Sequence, residues 1–294
     1  MGKNTIFTGA GIAIVTPMNA DGSVNYAKYR ELIDWQIENG TDAIITCGTT
    51  GESSTLTHEE HTQVIKTAIE QANGRVPVIA GTGSNDTAYG IELSREAQRL
   101  GADALLLVTP YYNKTSQRGL IAHYTAIADA VALPIILYNV PSRTGVTIQP
   151  ATVAELAKHP NIVALKEASG NISAAAKIAA TCDIDLYSGN DDQVVPMMSL
   201  GAKGVISVAS NIIPEVMVKM SHLCLEGQFE DASKLQIAYM DLIDALFIEV
   251  NPIPIKAAMN LMGMEAGSLR LPLCDISHKN LETLRQAMGR MGLL

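Results

Sequence analysis

Lys166 closes an apolar run, Asn161-Ile-Val-Ala-Leu-Lys166, and a turn, Glu167-Ala-Ser-Gly170, follows at once. The pattern describes a buried strand whose last side chain enters a mouth. Dry surroundings disfavour an ammonium, and a neutral amine has a lone pair that can attack a carbonyl to give a Schiff base. An isolated strand-end lysine more commonly runs its stem along apolar surface to water, so the reading depends on what shares the mouth. Other candidate strands end in Cys47-Gly-Thr-Thr-Gly-Glu52, Thr109-Pro-Tyr-Tyr-Asn113, Tyr138-Asn-Val-Pro-Ser-Arg-Thr-Gly145, Ser188-Gly-Asn-Asp191 and Ser207. Gly48-Thr-Thr-Gly51 is a tight turn whose free N–H groups suit a carboxylate, although an ordinary strand–helix turn has the same composition. Tyr138 offers a phenol for proton transfer if a hydroxyl relays the proton onward. Arg143 offers a planar fork for a second carboxylate, or is simply a surface arginine. Tyr111 and Tyr112 suit an interface as well as a site. His58-Glu-Glu-His61 lacks the H-E-x-x-H spacing of a zinc protease and reads as two exposed histidines at a helix start. The set holds no metal-ligand cluster and no nucleophile–histidine–acid triad.

Short apolar runs at 11–15, 43–47, 76–80, 103–108, 134–138, 162–166, 184–188 and 204–208 alternate with helical patterns. Those patterns cover 26–38, 58–72, 86–100, 117–130, 151–159, 172–181, 191–200 and 214–226. Thr57-His-Glu-Glu60 is a capping box, and Asn25, Asn85 and Asn171 are candidate N-caps. Gly40, Gly74, Gly101, Gly201 and Gly227 follow helices, where a left-handed residue is wanted. Eight strand–helix units predict a closed parallel (β/α)8 TIM barrel, with chemistry at the strand C-termini. A doubly wound sheet would need a G-x-G-x-x-G after its first strand. Gly9-Ala-Gly11 is expected to precede that strand, and Gly81-Thr-Gly83 lacks the third glycine. The rhythm changes after Gly227, so residues 1–229 are expected to form the barrel and 230–294 a C-terminal helical region packed on it, broken at Asn251-Pro-Ile-Pro254 and Arg270-Leu-Pro272.

The chain has 294 residues, 47% hydrophobic and 17% charged, against roughly 25% charged in an average soluble protein. Low charge points to surface buried between subunits. A net charge of −9 gives no basic footprint for nucleic acid. The stretch Met1-Gly-Lys-Asn-Thr-Ile-Phe-Thr has no apolar core of a signal, and no apolar run is long enough for a membrane span. Cys47, Cys182, Cys224 and Cys274 are far apart, as expected of reduced thiols in a cytoplasmic protein.

Three segments, Gly48-Thr-Thr-Gly-Glu52, Tyr138-Asn-Val-Pro-Ser-Arg-Thr-Gly145 and Leu165-Lys-Glu-Ala168, strongly resemble the 4-hydroxy-tetrahydrodipicolinate synthase (dihydrodipicolinate synthase) family of pyruvate-dependent class I aldolases. The resemblance runs from about Thr8 to the C-terminus. It takes in Ala80-Gly-Thr-Gly83, Thr109-Pro-Tyr-Tyr-Asn113, Gly204-Val-Ile-Ser-Val208, Asn251-Pro-Ile-Pro254 and Leu269-Arg-Leu-Pro272. It implies that Lys166 forms an imine with pyruvate, whose enamine attacks L-aspartate 4-semialdehyde in lysine and diaminopimelate biosynthesis. It further implies that Tyr138 shuttles protons through Thr49 to Tyr112 of a neighbouring subunit, within a dimer of dimers. The backbone of Thr49 and Thr50 would hold the pyruvate carboxylate, Arg143 that of the semialdehyde, and the Gly189 and Ile206 backbone would line the pocket. The iminium is itself the electron sink, so no metal or organic cofactor is expected. In lysine-sensitive relatives an allosteric cleft resembles Ser53, Ser54, His58, His61, Asn85 and Tyr111, but the acidic residue expected for the effector's ammonium falls on Tyr89, which predicts weak or absent inhibition.

The rival enzymes are an N-acetylneuraminate lyase or a 2-keto-3-deoxy-sugar acid aldolase, whose hydroxyl-rich substrates do not call for a guanidinium at position 143. A non-catalytic small-molecule binder on the same fold is a rival of another class. Lys166, Tyr138 and the paired threonines together argue against it.

Overall fold

The structure is a computed structural model that describes residues 4–294. Residues 1–3, at the start of the stretch without an apolar signal core, lie outside it. Eight strands form a closed parallel barrel in sequence order. They are β1 (Gly9–Ala13), β2 (Ala43–Thr46), β3 (Val78–Gly81), β4 (Ala104–Val108), β5 (Ile135–Asn139), β6 (Ile162–Glu167), β7 (Asp185–Ser188) and β8 (Gly204–Ser207). The helices are α1 (Tyr26–Glu38), α2 (His58–Ala72), α3 (Thr87–Leu100), α4 (Gln117–Asp129), α5 (Pro141–Thr144), α6 (Pro150–Leu156), α7 (Ile172–Thr181), α8 (Val194–Ser199), α9 (Pro214–Leu225), α10 (Phe229–Leu246), α11 (Ile253–Leu261) and α12 (His278–Arg290). No helix among the described residues is long and apolar enough to cross a membrane.

Both faces of each strand are covered, so the strands read as continuous apolar runs, and parity decides which core a residue joins. Ile45, Leu106, Ile136 and Ala164 fill the barrel interior, whereas Ile44, Leu105, Leu107, Ile135 and Leu165 pack beneath the helices. The alternation carries Tyr138, two residues beyond Ile136, inward. Across the β5–β6 ladder Ile136 pairs with Ala164 and Tyr138 with Lys166. Lys166 therefore shares the inward parity at the C-terminal end of the barrel.

Several expectations shift. The first strand begins at Gly9, so Gly9-Ala-Gly11 lies inside it. A Cβ on Gly11 would meet the Ile45 side chain at 2.7 Å and the Phe7 ring at 2.8 Å. Glycine is there for close approach and gives no apolar signal. Asp86, not Asn85, caps α3, with its Oδ1 accepting from the N–H of Ala88. Asn85 instead donates to the Tyr111 carbonyl at 3.1 Å. The histidines are not exposed. His61 shares the inward stripe of α2 with Val64, Ile65 and Ala68, is 5% exposed, and has Nε2 2.8 Å from the Gly81 carbonyl. His58 is half-buried beside the Tyr89 ring. The capping box at Thr57 and the caps at Asn25 and Asn171 form as read.

Candidate active site

Lys166 is 5% exposed and Tyr138 6%. The lysine Nζ stands 4.2 Å from the centroid of the Tyr138 ring, whose electron-rich face attracts a cation. The Lys166 amine makes no hydrogen bond or ion pair with any other described residue. Gly189 follows β7 and donates its N–H to the Glu167 carbonyl at 2.8 Å. A Cβ there would meet Ala168 Cβ at 2.7 Å and Lys166 Cε at 3.2 Å, so the missing side chain is what admits the lysine stem. Ile206 on β8 is fully buried in the barrel interior with Tyr138. The ends of β5 and β6 are tied together: Asn139 Nδ2 donates to Glu167 Oε2 at 2.8 Å, and Glu167 Oε1 accepts the Ser169 N–H at 2.6 Å. Asp191 is buried beyond Gly189, and its Oδ2 accepts from the N–H groups of Val208 and Ala209. Burial pushes its carboxyl above the ordinary range, opposed chiefly by the Ser207 hydroxyl and the N–H groups of Ala209 and Val208.

Two connected cavities open on this face. A narrow one of about 40 Å³ is lined by Gly48, Thr49, Val108 and Tyr138, among others. A wider one of about 260 Å³ is lined by Thr49, Ser53, Ser54, Tyr111, Arg143 and Asn251, among others. Thr49, Ser53, Gly83 and Val108 belong to both, so a path leads from Arg143 at the rim to Tyr138. The 48–52 turn is built on N–H groups of Gly51 and Ser53 donating to the Gly48 carbonyl and that of Glu52 to Thr49. The N–H groups of Thr49 and Thr50 find no acceptor among the described residues. Two adjacent free amides make an anion-binding concavity. Arg143 lies on α5, terminated by Gly145 at φ +67°, and donates from Nη2 to the Asn251 carbonyl at 3.1 Å. Cys47 also borders the narrow cavity, but burial pushes its thiol up to about 12, so it is no nucleophile at neutral pH.

Lys256, the other buried lysine among the described residues, shows what a structural lysine looks like. Its Nζ donates to Glu52 Oε1 at 2.8 Å and to the carbonyls of Thr16 and Ser268 at 3.1 and 2.6 Å. All three protons are used. Burial lowers its pKa, and Glu52 opposes that. Glu52 Oε2 accepts the Arg270 N–H at 3.0 Å, and the Arg270 guanidinium grips Glu60. Asn251 Nδ2 donates to Thr50 Oγ1 at 2.9 Å. The helical region after α9 thus holds the 48–52 turn at Thr50 and at Glu52. Sequence reasoning missed Asn251, Lys256 and Arg270 as supports; the signals were the breaks at Asn251-Pro-Ile-Pro254 and Arg270-Leu-Pro272, read as helix boundaries.

Tyr112 does not enter this mouth. It is 92% exposed and sits at φ +69°, a left-handed conformation that costs a bulky residue energy. Ser53, Ser54 and Tyr111 line the wider cavity and Asn85 is bonded behind Tyr111, whereas the inward-facing His61 is already engaged. No group of three or more His, Cys, Asp or Glu among the described residues is placed to hold a metal ion.

The model of the Dihydrodipicolinate synthetase family matches residues 6–290. A 4-hydroxy-tetrahydrodipicolinate synthase from Acetivibrio thermocellus is 55% identical over 99% of this chain and 100% of its own. One from Lachnoclostridium phytofermentans is 58% identical over 98% of this chain and 99% of its own. Among solved structures, a chloride-inhibited dihydrodipicolinate synthase from Acinetobacter baumannii complexed with pyruvate superposes with a TM-score of 0.96, at 46% identity, covering 99% of this chain and 100% of the other.

Proposed function

The chain belongs to the dihydrodipicolinate synthetase family, and from that premise we propose that it condenses pyruvate with L-aspartate 4-semialdehyde to give 4-hydroxy-tetrahydrodipicolinate. The observation that carries the reading is Lys166: buried, unpaired, and lying against a phenol at the base of a mouth whose rim holds two free amides and a guanidinium. Its amine adds to the keto carbon of pyruvate, and loss of water leaves an imine. Removal of a methyl proton gives the enamine, whose terminal carbon attacks the aldehyde; the alkoxide takes a proton, and the amino group of the semialdehyde portion then attacks the imine carbon, closing the ring and expelling the Lys166 amine. Tyr138 supplies and recovers the protons, with the Thr49 hydroxyl, on the same narrow cavity, as the relay. The Thr49 and Thr50 amides take the pyruvate carboxylate, against the backbone of Gly189 and Ile206. Arg143 takes the carboxylate of the semialdehyde. The covalent imine serves in place of a cofactor.

Tyr112 completes the relay in the mouth of a second copy. Its exposure and its left-handed backbone support that placement, because a tyrosine so held gains nothing within its own chain. The assembly is a dimer of dimers, working in the cytoplasm. Lysine inhibits weakly or not at all, because Tyr89 offers no charge to the effector's ammonium; an inhibition curve centred in the micromolar range would overturn that.

The test is reductive trapping with pyruvate and cyanoborohydride followed by peptide mapping. A stable adduct on Lys166 is expected, and its absence ends every aldolase reading. A coupled assay with the semialdehyde then compares Arg143→Ala with the parent. Loss of activity is expected for the synthase, whereas an unchanged rate points to a lyase for hydroxyl-rich substrates.

A further inference from the structure

The ladder between β5 and β6 carries an extra residue on the β6 side. Ile135 stands opposite Ile162 and Ile136 opposite Ala164, so Val163 has no partner on β5. Val163 and Ala164 both fall in the barrel interior, where strict alternation would send one of them outward. Counted on from Ile162, which packs beneath the helices, that alternation would also turn Lys166 outward. The bulge re-aims the strand, alternation resumes from Ala164, and Lys166 comes in. Without the extra residue Leu165 would stand opposite Tyr138; with it, Tyr138 meets Lys166 and Asn139 meets Glu167. The second of these pairs is bonded. Asn139 Nδ2 donates to Glu167 Oε2 at 2.8 Å, and the two residues are 1% and 4% exposed. The amide has a fixed sense: its Oδ1 accepts the Ile148 N–H at 3.0 Å, so its nitrogen must face the carboxylate. Glu167 Oε1 accepts the Ser169 N–H at 2.6 Å, and the Ala168 N–H donates to the Asn139 carbonyl at 2.9 Å.

We propose that Asn139 and Glu167 are positioning residues whose buried bridge locks the bulged register of β6 and so holds the Lys166 amine against the Tyr138 phenol. The proposal rests on the Schiff-base reading above and adds what sets its geometry. The amine lies 4.2 Å from the Tyr138 ring centroid and has no hydrogen bond to keep it there, so its place is set by the strand beneath it. A slip that took Val163 back into the ladder would bring Leu165 opposite Tyr138 and break the bridge at the same stroke. A satisfied polar pair specifies one register where apolar packing tolerates several. The bridge also has a polarity, donor on β5 and acceptor on β6, and substitution can reverse it.

Glu167→Gln can answer Ser169 with its carbonyl but then opposes its amide to that of Asn139. Asn139→Asp sets two carboxyl groups face to face. The two together reverse the bridge, the new amide on β6 donating to the new carboxylate on β5, with Ile148 and Ser169 still answered and the parent's net charge kept. Cyanoborohydride trapping on Lys166 is measured over a range of pyruvate concentrations, at a temperature where each variant is folded, to separate limiting rate from half-saturation. Each single substitution is expected to lower the limiting rate by on the order of 10²-fold, as a misplaced reacting group does, with half-saturation little changed. The double variant should recover most of the loss. A second readout needs no chemistry: the Tyr138 ring current moves the Lys166 Cε proton resonances upfield, a shift expected to shrink in each single variant and return in the double. The inference is overturned if a folded single variant traps at the parental limiting rate, if the double variant is no better than the singles, or if only half-saturation moves. If Glu167→Gln does not fold, Glu167→Ala, which removes the acceptor without opposing two donors, decides by limiting rate and half-saturation, and the double variant by the ring-current shift. A parent that fails to trap pyruvate overturns the Schiff-base reading instead, while the ring-current shift still decides the bridge, so the two failures are told apart.

Discussion

One substitution made at two buried lysines should give opposite results. Lys256→Met strips three acceptors at once, Glu52 and the carbonyls of Thr16 and Ser268. The Glu52 side chain, 0% exposed, would be left with only the Arg270 N–H to answer it. Breaking a buried pair from one side costs about 3–5 kcal/mol. For a chain of this size, at about 2 °C per kcal/mol, the melting temperature should fall by roughly 6–10 °C. Lys166→Met keeps the volume and removes an amine with no hydrogen-bonded or ion-paired partner, so the change should stay below about 1.5 kcal/mol, or roughly 3 °C. Its activity and trapping should be abolished, whereas Lys256→Met should retain trapping at temperatures where it is folded. Both variants are to be melted by calorimetry at one protein concentration, because association adds to apparent stability. Equal destabilisation by the two would refute the assignment of one lysine to chemistry and the other to structure.

Three further outcomes follow from the geometry. Tyr138→Phe should leave the melting temperature nearly unchanged and slow imine formation by roughly 10²-fold or more, as loss of a proton-transfer group does; stopped-flow trapping checks it. Gly189→Ala should place a methyl 3.2 Å from Lys166 Cε and 2.7 Å from Ala168 Cβ. The variant should fold, but with the displaced lysine lowering kcat/KM on the order of 10²-fold; an unaltered rate would show that the lysine stem has room. The Arg270 guanidinium holds the Glu60 carboxyl below its ordinary value. That stability is present above the ordinary glutamate range and is lost as pH falls through the depressed value. Glu60→Gln should therefore destabilise at neutral pH and flatten the acid limb of melting temperature against pH.

Much of the site was legible because it sits where the strand rhythm is strongest. The run ending in Lys166 and the run ending in Tyr138 are apolar to their last residue, and period-two alternation puts both ends inward at one level. The same signal failed at β1, where glycine was chosen for contact with Phe7 and Ile45 and left nothing apolar to read. His61 was misread because the Glu-Glu beside it suggests a wet surface, whereas helical spacing to Val64, Ile65 and Ala68 turns it inward. Asn85 was misread for a local reason, since Asp86 beside it makes the cap equally well. Asn251 and Lys256 stay silent in sequence because their partners lie some two hundred positions away; a polar side chain's hydrogen bond across that separation leaves no periodic trace. Tyr112, 92% exposed, likewise carries no periodic signal that would place it.

Asn251, Lys256 and Arg270 all follow the last strand. A ribosome releases them late. Until they emerge, the threonine turn lacks the contacts at Thr50 and Glu52 that these residues supply.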